Sequence, residues 1–229
     1  NMRVIPPRYT NLPPYDLEYS NAVLVPEGSH MQWYLKIENT LNCELYNGFT
    51  NRTITPVASN TYSFSEYIIN PYDLAIRLHS PYNTVKNDTV NMHIQILTDN
   101  KPSIAVDVLN DTLHPGKIYI NGVYSDDYGC SDLKLHVVQT SELNTTQNLK
   151  SQQLEFNSSK GQHVFYHFLD LSVYDLKPGS RLQYYFSVTD NDAVHGTKTV
   201  HSNTFEYRLP NLSEALNHER QVQHQIDNS

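Results

Sequence analysis

The run RLQYYFSV, residues 181 to 188, decides the fold. Leu182, Tyr184, Phe186 and Val188 alternate with Arg181, Gln183, Tyr185 and Ser187, a period of two that puts apolar side chains on one face of a strand and polar ones on the other. Pro178 and Gly179 mark a turn before it. After it come the polar loop TDNDAVHG, residues 189 to 196, and a last alternating strand at Phe205, Tyr207 and Leu209. The same period recurs at Met31, Trp33, Leu35 and Ile37, at Leu74, Ile76 and Leu78, at Val90, Met92, Ile94 and Ile96, and at Leu133, Leu135 and Val137. Strands with one apolar and one wet face predict antiparallel sheets packed as sandwiches.

Turn residues at Pro26 to Gly28, Asn47–Gly48, Asn70–Pro71, Pro115–Gly116 and Lys160–Gly161 space the strands as an all-β sandwich requires. The stretch TDNKPS, residues 98 to 103, is a polar turn with a proline, after which a strand restarts at Ile104, Val106 and Val108. It predicts a boundary, giving one domain over 1–100 and a second over 101–211, each the size of an immunoglobulin-like sandwich. The proline-rich first 20 residues read as an extended lead-in lying on the first domain. Ser213 reads as a helix N-cap, and residues 212–229 as the start of a truncated helical segment. The fold class predicted is therefore all-β: two consecutive immunoglobulin-like, fibronectin type III-like sandwiches with a short C-terminal helical tail.

Composition narrows the function classes. The formal net charge of −8, from 24 acidic and 16 basic side chains, repels a phosphate backbone, and the scattered Lys and Arg residues form no stripe, so nucleic acid is excluded as a partner. The longest apolar runs fall far short of the roughly 20 residues that cross a bilayer, so any membrane contact is expected through regions outside this chain. No two glycines stand one residue apart, which excludes G-x-G-x-x-G, and neither a phosphate loop nor a G-x-S-x-G elbow occurs. His163 and His167 sit in HVFYHF, which reads as a strand; its rise of about 3.3 Å per residue separates the rings too far for one metal. His218 and Glu219 start a zinc-protease helix motif that His224 fails to complete. Cys43 and Cys130 follow no ligand spacing, and the carboxylates near Cys130 raise a thiol pKa, the wrong direction for a nucleophile. No catalytic residues and no required cofactor are expected.

Two acidic clusters remain, SDDYGCSD at 125 to 132 and TDNDAVHG at 189 to 196. In an immunoglobulin-like topology both loops lie at the end where the chain enters the second sandwich. Asp126, Asp127, Asp190 and Asp192 are thus the candidate ligands of a calcium ion, with Asp99 or Asn100 of the linker as additional oxygen donors. The same residues serve equally in metal-free turns. Tyrosine is in excess, with 17 residues, and Tyr62, Tyr67, Tyr72 and Tyr82 are the candidates for a carbohydrate platform. Their alternative use is to fill half-buried strand positions.

The segments YTNLPPYDL (9–17), LVPEGSHMQW (24–33), ILTDNKPSIAV (96–106), SDDYGCSDLKL (125–135) and YYFSVTDNDAVHGTKTVHSNTFEYRLPNLSE (184–214) resemble the periplasmic part of a family of large, uncharacterised, membrane-anchored Bacteroidetes proteins. In that family a membrane-spanning region precedes immunoglobulin-like modules and a long charged helical region. Ala193 stands where a glycine is usual after D-N-D, and Leu182 where a fibronectin-like corner would place a tyrosine. The family has no established activity, so the resemblance implies architecture and a periplasmic address, with no catalytic residue to carry over. The function expected is a non-enzymatic spacer or protein-interaction arm, the alternative being a carbohydrate-binding accessory module.

Overall fold

A computed structural model describes residues 1–81, 88–111, 114, 116–140, 146–174 and 176–211. The chain divides into two compact units: Asn1–Asp99 with Asp192–Gly196, and Asn100–Asn191 with Thr197–Ser229. The helical segment expected over 212–229 lies outside the described residues, as does Tyr82.

Among the described residues the first unit contains ten strands. They are β1 (Met2–Ile5), β2 (Tyr15–Leu17), β3 (Ala22–Pro26), β4 (Ser29–Lys36), β5 (Asn42–Tyr46), β6 (Asn51–Ile54), β7 (Pro56–Ala58), β8 (Thr61–Ile68), β9 (Tyr72–His79) and β10 (Asp88–Leu97). One sheet runs β2-β1-β4-β8-β7 and the other β3-β10-β9-β5-β6. Alternation dictates which side chains meet between them. Met31 and Trp33 of β4 face inward with Leu74 and Ile76 of β9 and Met92 and Ile94 of β10, all nearly free of solvent. Trp33 stacks on Phe64 with centroids 4.6 Å apart.

The opening residues are more than a lead-in. Met2 and Val4 are buried in this core, with β1 paired antiparallel to β4, and β3 then joins the opposite sheet parallel to β10. Four residues, MRVI, are too few to display a period, so their two inward side chains pass unread in the sequence.

The second unit is an immunoglobulin-like sandwich of the fibronectin type. Its strands are β11 (Ser103–Asn110), β12 (Lys117–Asp126), β13 (Cys130–Thr140), β14 (Thr146–Gln153), β15 (Gly161–Asp170), β16 (Arg181–Asp190), β17 (Thr199–His201) and β18 (Phe205–Arg208). A three-stranded sheet β11-β12-β15 faces a second sheet β14-β13-β16-β17, in which β18 also pairs with β16. The last strand breaks between β17 and β18, and the Phe186 N–H left by the break donates to Ser202 Oγ at 3.0 Å. Leu182, Tyr184, Phe186 and Val188, the alternating set of β16, are all buried here against Ile118, Ile120, Phe165 and Leu169 of the three-stranded sheet. Tyr124 ties the loop after β14 to this core. Its hydroxyl donates to the Asn157 carbonyl (3.1 Å) and accepts from the Asn157 N–H (2.7 Å).

Candidate functional site

The turn after β12 is built by Asp126. Its Oδ2 accepts hydrogen bonds from the backbone N–H groups of Tyr128 (2.9 Å) and Gly129 (2.7 Å), an Asx-type turn that the sequence D-D-Y-G encodes. Gly129 has φ +113°, and a Cβ there would stand 2.2 Å from the Ser158 carbonyl oxygen, so only glycine completes the turn. Asp126 is 7% exposed, and its other oxygen, Oδ1, is buried with no hydrogen-bond partner among the described residues. Burial, reinforced by Asp127 and Asp190 and opposed by the two N–H bonds, holds this carboxyl above its ordinary range. A raised carboxylate pKa means that the fold loses stability as pH rises through that range, because the native state holds the proton longer than the unfolded chain does.

The other acidic candidates are differently engaged. Asp127 accepts from Asn100 Nδ2 at 3.1 Å, and one of its oxygens lies within 4.8 Å of one from Asp126. Asp190, fully buried at the end of β16, is held by Lys198: its Oδ1 accepts the Lys198 N–H at 2.7 Å and its Oδ2 the Lys198 ammonium at 3.1 Å. Asp192 belongs to the segment that counts with the first unit, where its Oδ1 accepts the N–H groups of Val194 (2.7 Å) and His195 (3.2 Å) and closes its own loop. Of the four expected ligands, the structure thus places Asp126 beside Asp127 and gives Asp190 a lysine as counter-ion.

The tyrosines expected to form a platform in the first unit do not share a face. Tyr62 is 5% exposed and points into the core; Tyr67, an odd number of residues along the same strand, points out and stacks on His30 with centroids 4.7 Å apart. The Tyr72 hydroxyl donates to Glu66 Oε2 at 2.6 Å, and burial together with that carboxylate pushes the phenol well above its usual range. Strand parity therefore divides Tyr62 from Tyr67, and the described members of the set form no platform.

An aromatic face does form, on the second unit. The outward side of the three-stranded sheet carries, row by row across the strands, Leu109, Tyr119 and Phe168; then Asp107, Asn121 and Tyr166; then Ala105, Val123 and Val164; then Ser103, Ser125 and Gln162. Tyr166 is 79% exposed and Tyr119 51%, with Phe168, Val164 and Leu109 also open to solvent. Tyr119 and Phe168 are direct cross-strand partners whose ring centroids lie 5.2 Å apart, tilted 45°. The Ser103 and Ser125 hydroxyls hydrogen-bond at 2.8 Å. Apolar side chains clustered on a solvated face mark an interaction surface. The signal was present in β15, where Val164, Tyr166 and Phe168 are apolar on the very face that should be wet, while Phe165 and Leu169 fill the core. A strand apolar on both faces reads as buried, and this one borders a sheet of three.

Both thiols are buried and titrate above the ordinary range. Burial, then Asp126 and Asp190, pushes Cys130 up to about 12, and burial, then Glu44, pushes Cys43 up to about 11. His136 has its two ring nitrogens beside Ser187 Oγ (2.8 Å) and Ser151 Oγ (3.3 Å) and its ring stacked on Tyr185, with burial lowering its pKa first and His201 second. A ring fixed this way is a structural member of its sheet face.

No family model and no curated protein matches the chain. Among solved structures it is similar to a putative carbohydrate binding protein from Bacteroides uniformis, at 10% identity over 82% of this chain and 99% of that one, with a TM-score of 0.36. It is also similar to a DUF3823 family protein from Bacteroides ovatus (11% identity, 77% and 92% covered, TM-score 0.29). The fibronectin(III)-like modules of Clostridium thermocellum CbhA give 11% identity, 83% and 88% covered, and a TM-score of 0.26. At such scores the fold assignment rests on the strand pairing itself.

Proposed function

We propose that the chain is a non-enzymatic interaction arm: two immunoglobulin-like modules of which the second binds through the outward face of β11, β12 and β15. The observation that carries this reading is the exposure of Tyr119, Tyr166 and Phe168 side by side on one sheet face. Burying such rings supplies the largest apolar gain per side chain that a surface can offer. The proposed setting, the periplasmic part of a membrane-anchored bacterial protein, follows the resemblance of the sequence. The test is retention of the labelled chain on a cell-envelope fraction. Tyr119→Ala with Tyr166→Ala is expected to weaken retention about a hundredfold, on the order of 1.4 kcal/mol per ring. Equal retention of the double variant and the parent would exclude this face.

A second reading adds calcium at Asp126 and Asp127. What favours it is Asp126 Oδ1, buried beside a second carboxylate and without a hydrogen-bond partner among the described residues. A hard cation would satisfy that oxygen and offset the burial and the repulsion that raise the carboxyl. Asp190 and Asp192 stay outside this smaller site, being held by Lys198 and by their own loop. Millimolar calcium is expected to raise the melting temperature of the parent chain by several degrees and to leave Asp127→Asn unmoved. Equal shifts in both, or none in the parent, would dismiss the ion.

A further inference from the structure

We infer that the ligand of the outward β11–β12–β15 face is a neutral polysaccharide; this rests on that face being the binding surface. Three features of the face select the ligand. First, the rings are spread over a sheet surface instead of lining a pocket: Tyr119 and Phe168 share one row, and Tyr166 stands in the next, about 7 Å further along the strand. Rings spread in this way, with Tyr119 and Phe168 inclined at 45° to each other, offer contact to the C–H faces of successive sugar rings along an extended chain.

Second, uncharged hydrogen-bonding groups stand among the rings. Asn121 is the direct cross-strand partner of Tyr166, and the hydroxyl pair Ser103 and Ser125 lies at the other end of the face with Gln162. Asn and Gln each present both a donor and an acceptor, the pattern that matches the hydroxyls of a sugar, whereas an apolar protein partner would leave them unpaired and desolvated.

Third, the charge on the face matches a neutral ligand. In the four rows from Leu109 to Ser103 the outward positions carry a single charge, Asp107, and no cation, on a chain whose net charge is −8. The row beyond Tyr119 and Phe168 holds Lys117 beside Asp170, so that cation is already answered, and an acidic polysaccharide or anionic lipid surface would meet the repulsion of Asp107 and of the net charge.

The experiment treats one envelope fraction in two ways and measures retention of the parent chain, Tyr166→Ala and Asn121→Ala. Periodate cleaves the bond between vicinal hydroxyl-bearing carbons and so destroys sugar rings; protease digestion destroys protein partners. The expected result is retention that survives protease, is lost after periodate, falls about tenfold in each variant, and is competed by a soluble neutral polysaccharide such as xylan or mannan. Both variants lie on an exposed face and are expected to melt as the parent does. Loss of retention on protease digestion overturns the polysaccharide assignment while leaving the binding face intact. Retention that survives both treatments overturns it equally. Parent-level retention of Tyr166→Ala overturns the face itself, and the assignment with it.

Discussion

Asp190→Ala is expected to lower the stability of the second unit by about 3–5 kcal/mol, the usual cost of removing one partner from a buried ion pair. The carboxylate has no exposed surface, and it answers both the backbone N–H and the ammonium of Lys198. Without it, Lys198 keeps a charge at a site that is only 23% exposed, and the first turn after β16 loses the acceptor that fixes it. Relief of Asp126, whose carboxyl Asp190 helps to raise, offsets a smaller part of the loss. Asp190→Asn keeps an acceptor for the backbone N–H and is expected to cost less. Adding Lys198→Met to Asp190→Ala should recover part of the deficit, because it removes the charge that the lost carboxylate had answered. Urea unfolding followed by far-UV circular dichroism measures this. The only tryptophan, Trp33, belongs to the first unit, so its fluorescence transition should stay in place while the second unit's midpoint falls. A deficit below about 1 kcal/mol for Asp190→Ala would show that water, not Lys198, had been the effective partner of this carboxylate.

How much of this was legible in the sequence depended on the length of each period. β4, β9, β10, β13 and β16 are long enough for apolar and polar residues to alternate three or four times, and the sandwich class follows from them. Asp99 and Asn100, where the first unit gives way to the second, lie inside the polar turn TDNKPS, whereas nothing in the sequence assigns Asp192–Gly196 to the first unit. β1 escaped because two inward residues make no pattern. Among the site residues, the Asx turn of Asp126 could be read from D-D-Y-G, since its partners lie two and three positions ahead. The pairing of Asp190 with Lys198 could not, because it spans a loop whose path no local rule supplies. Parity alone separates Tyr62 from Tyr67, which stand an odd number of residues apart on one strand. The aromatic face lies across three strands, so its rows exist only once the register of β11, β12 and β15 is known.

That register also places a close approach of backbone and side chain in the second unit. Gly122 lies on the inward side of β12 directly opposite Phe165, and a Cβ built on it would stand 2.1 Å from one ring carbon of Phe165 and 2.2 Å from the next. The aromatic ring occupies the volume that any other residue at 122 would claim. It has little freedom to yield, being itself 6% exposed and packed against Phe186 and Tyr124 with centroids 5.4 Å and 6.2 Å away. Gly122→Ala is therefore expected to destabilise the second unit by about 3 kcal/mol, at the upper end of what a single inserted methyl group costs in a close-packed core. The sign is informative, since glycine within a strand is normally the weaker choice and alanine would otherwise gain from a less flexible unfolded chain. Phe165→Leu alone is expected to cost about 1–2 kcal/mol through lost packing, yet combined with Gly122→Ala it should cost less than the sum, because the shortened side chain vacates the space that the new methyl group fills. Denaturation midpoints of the three variants decide between overlap at this pair and a general intolerance of β12. Strict additivity of the two substitutions would mean that the clash is relieved by the backbone and that Phe165 does not hold Gly122 in place.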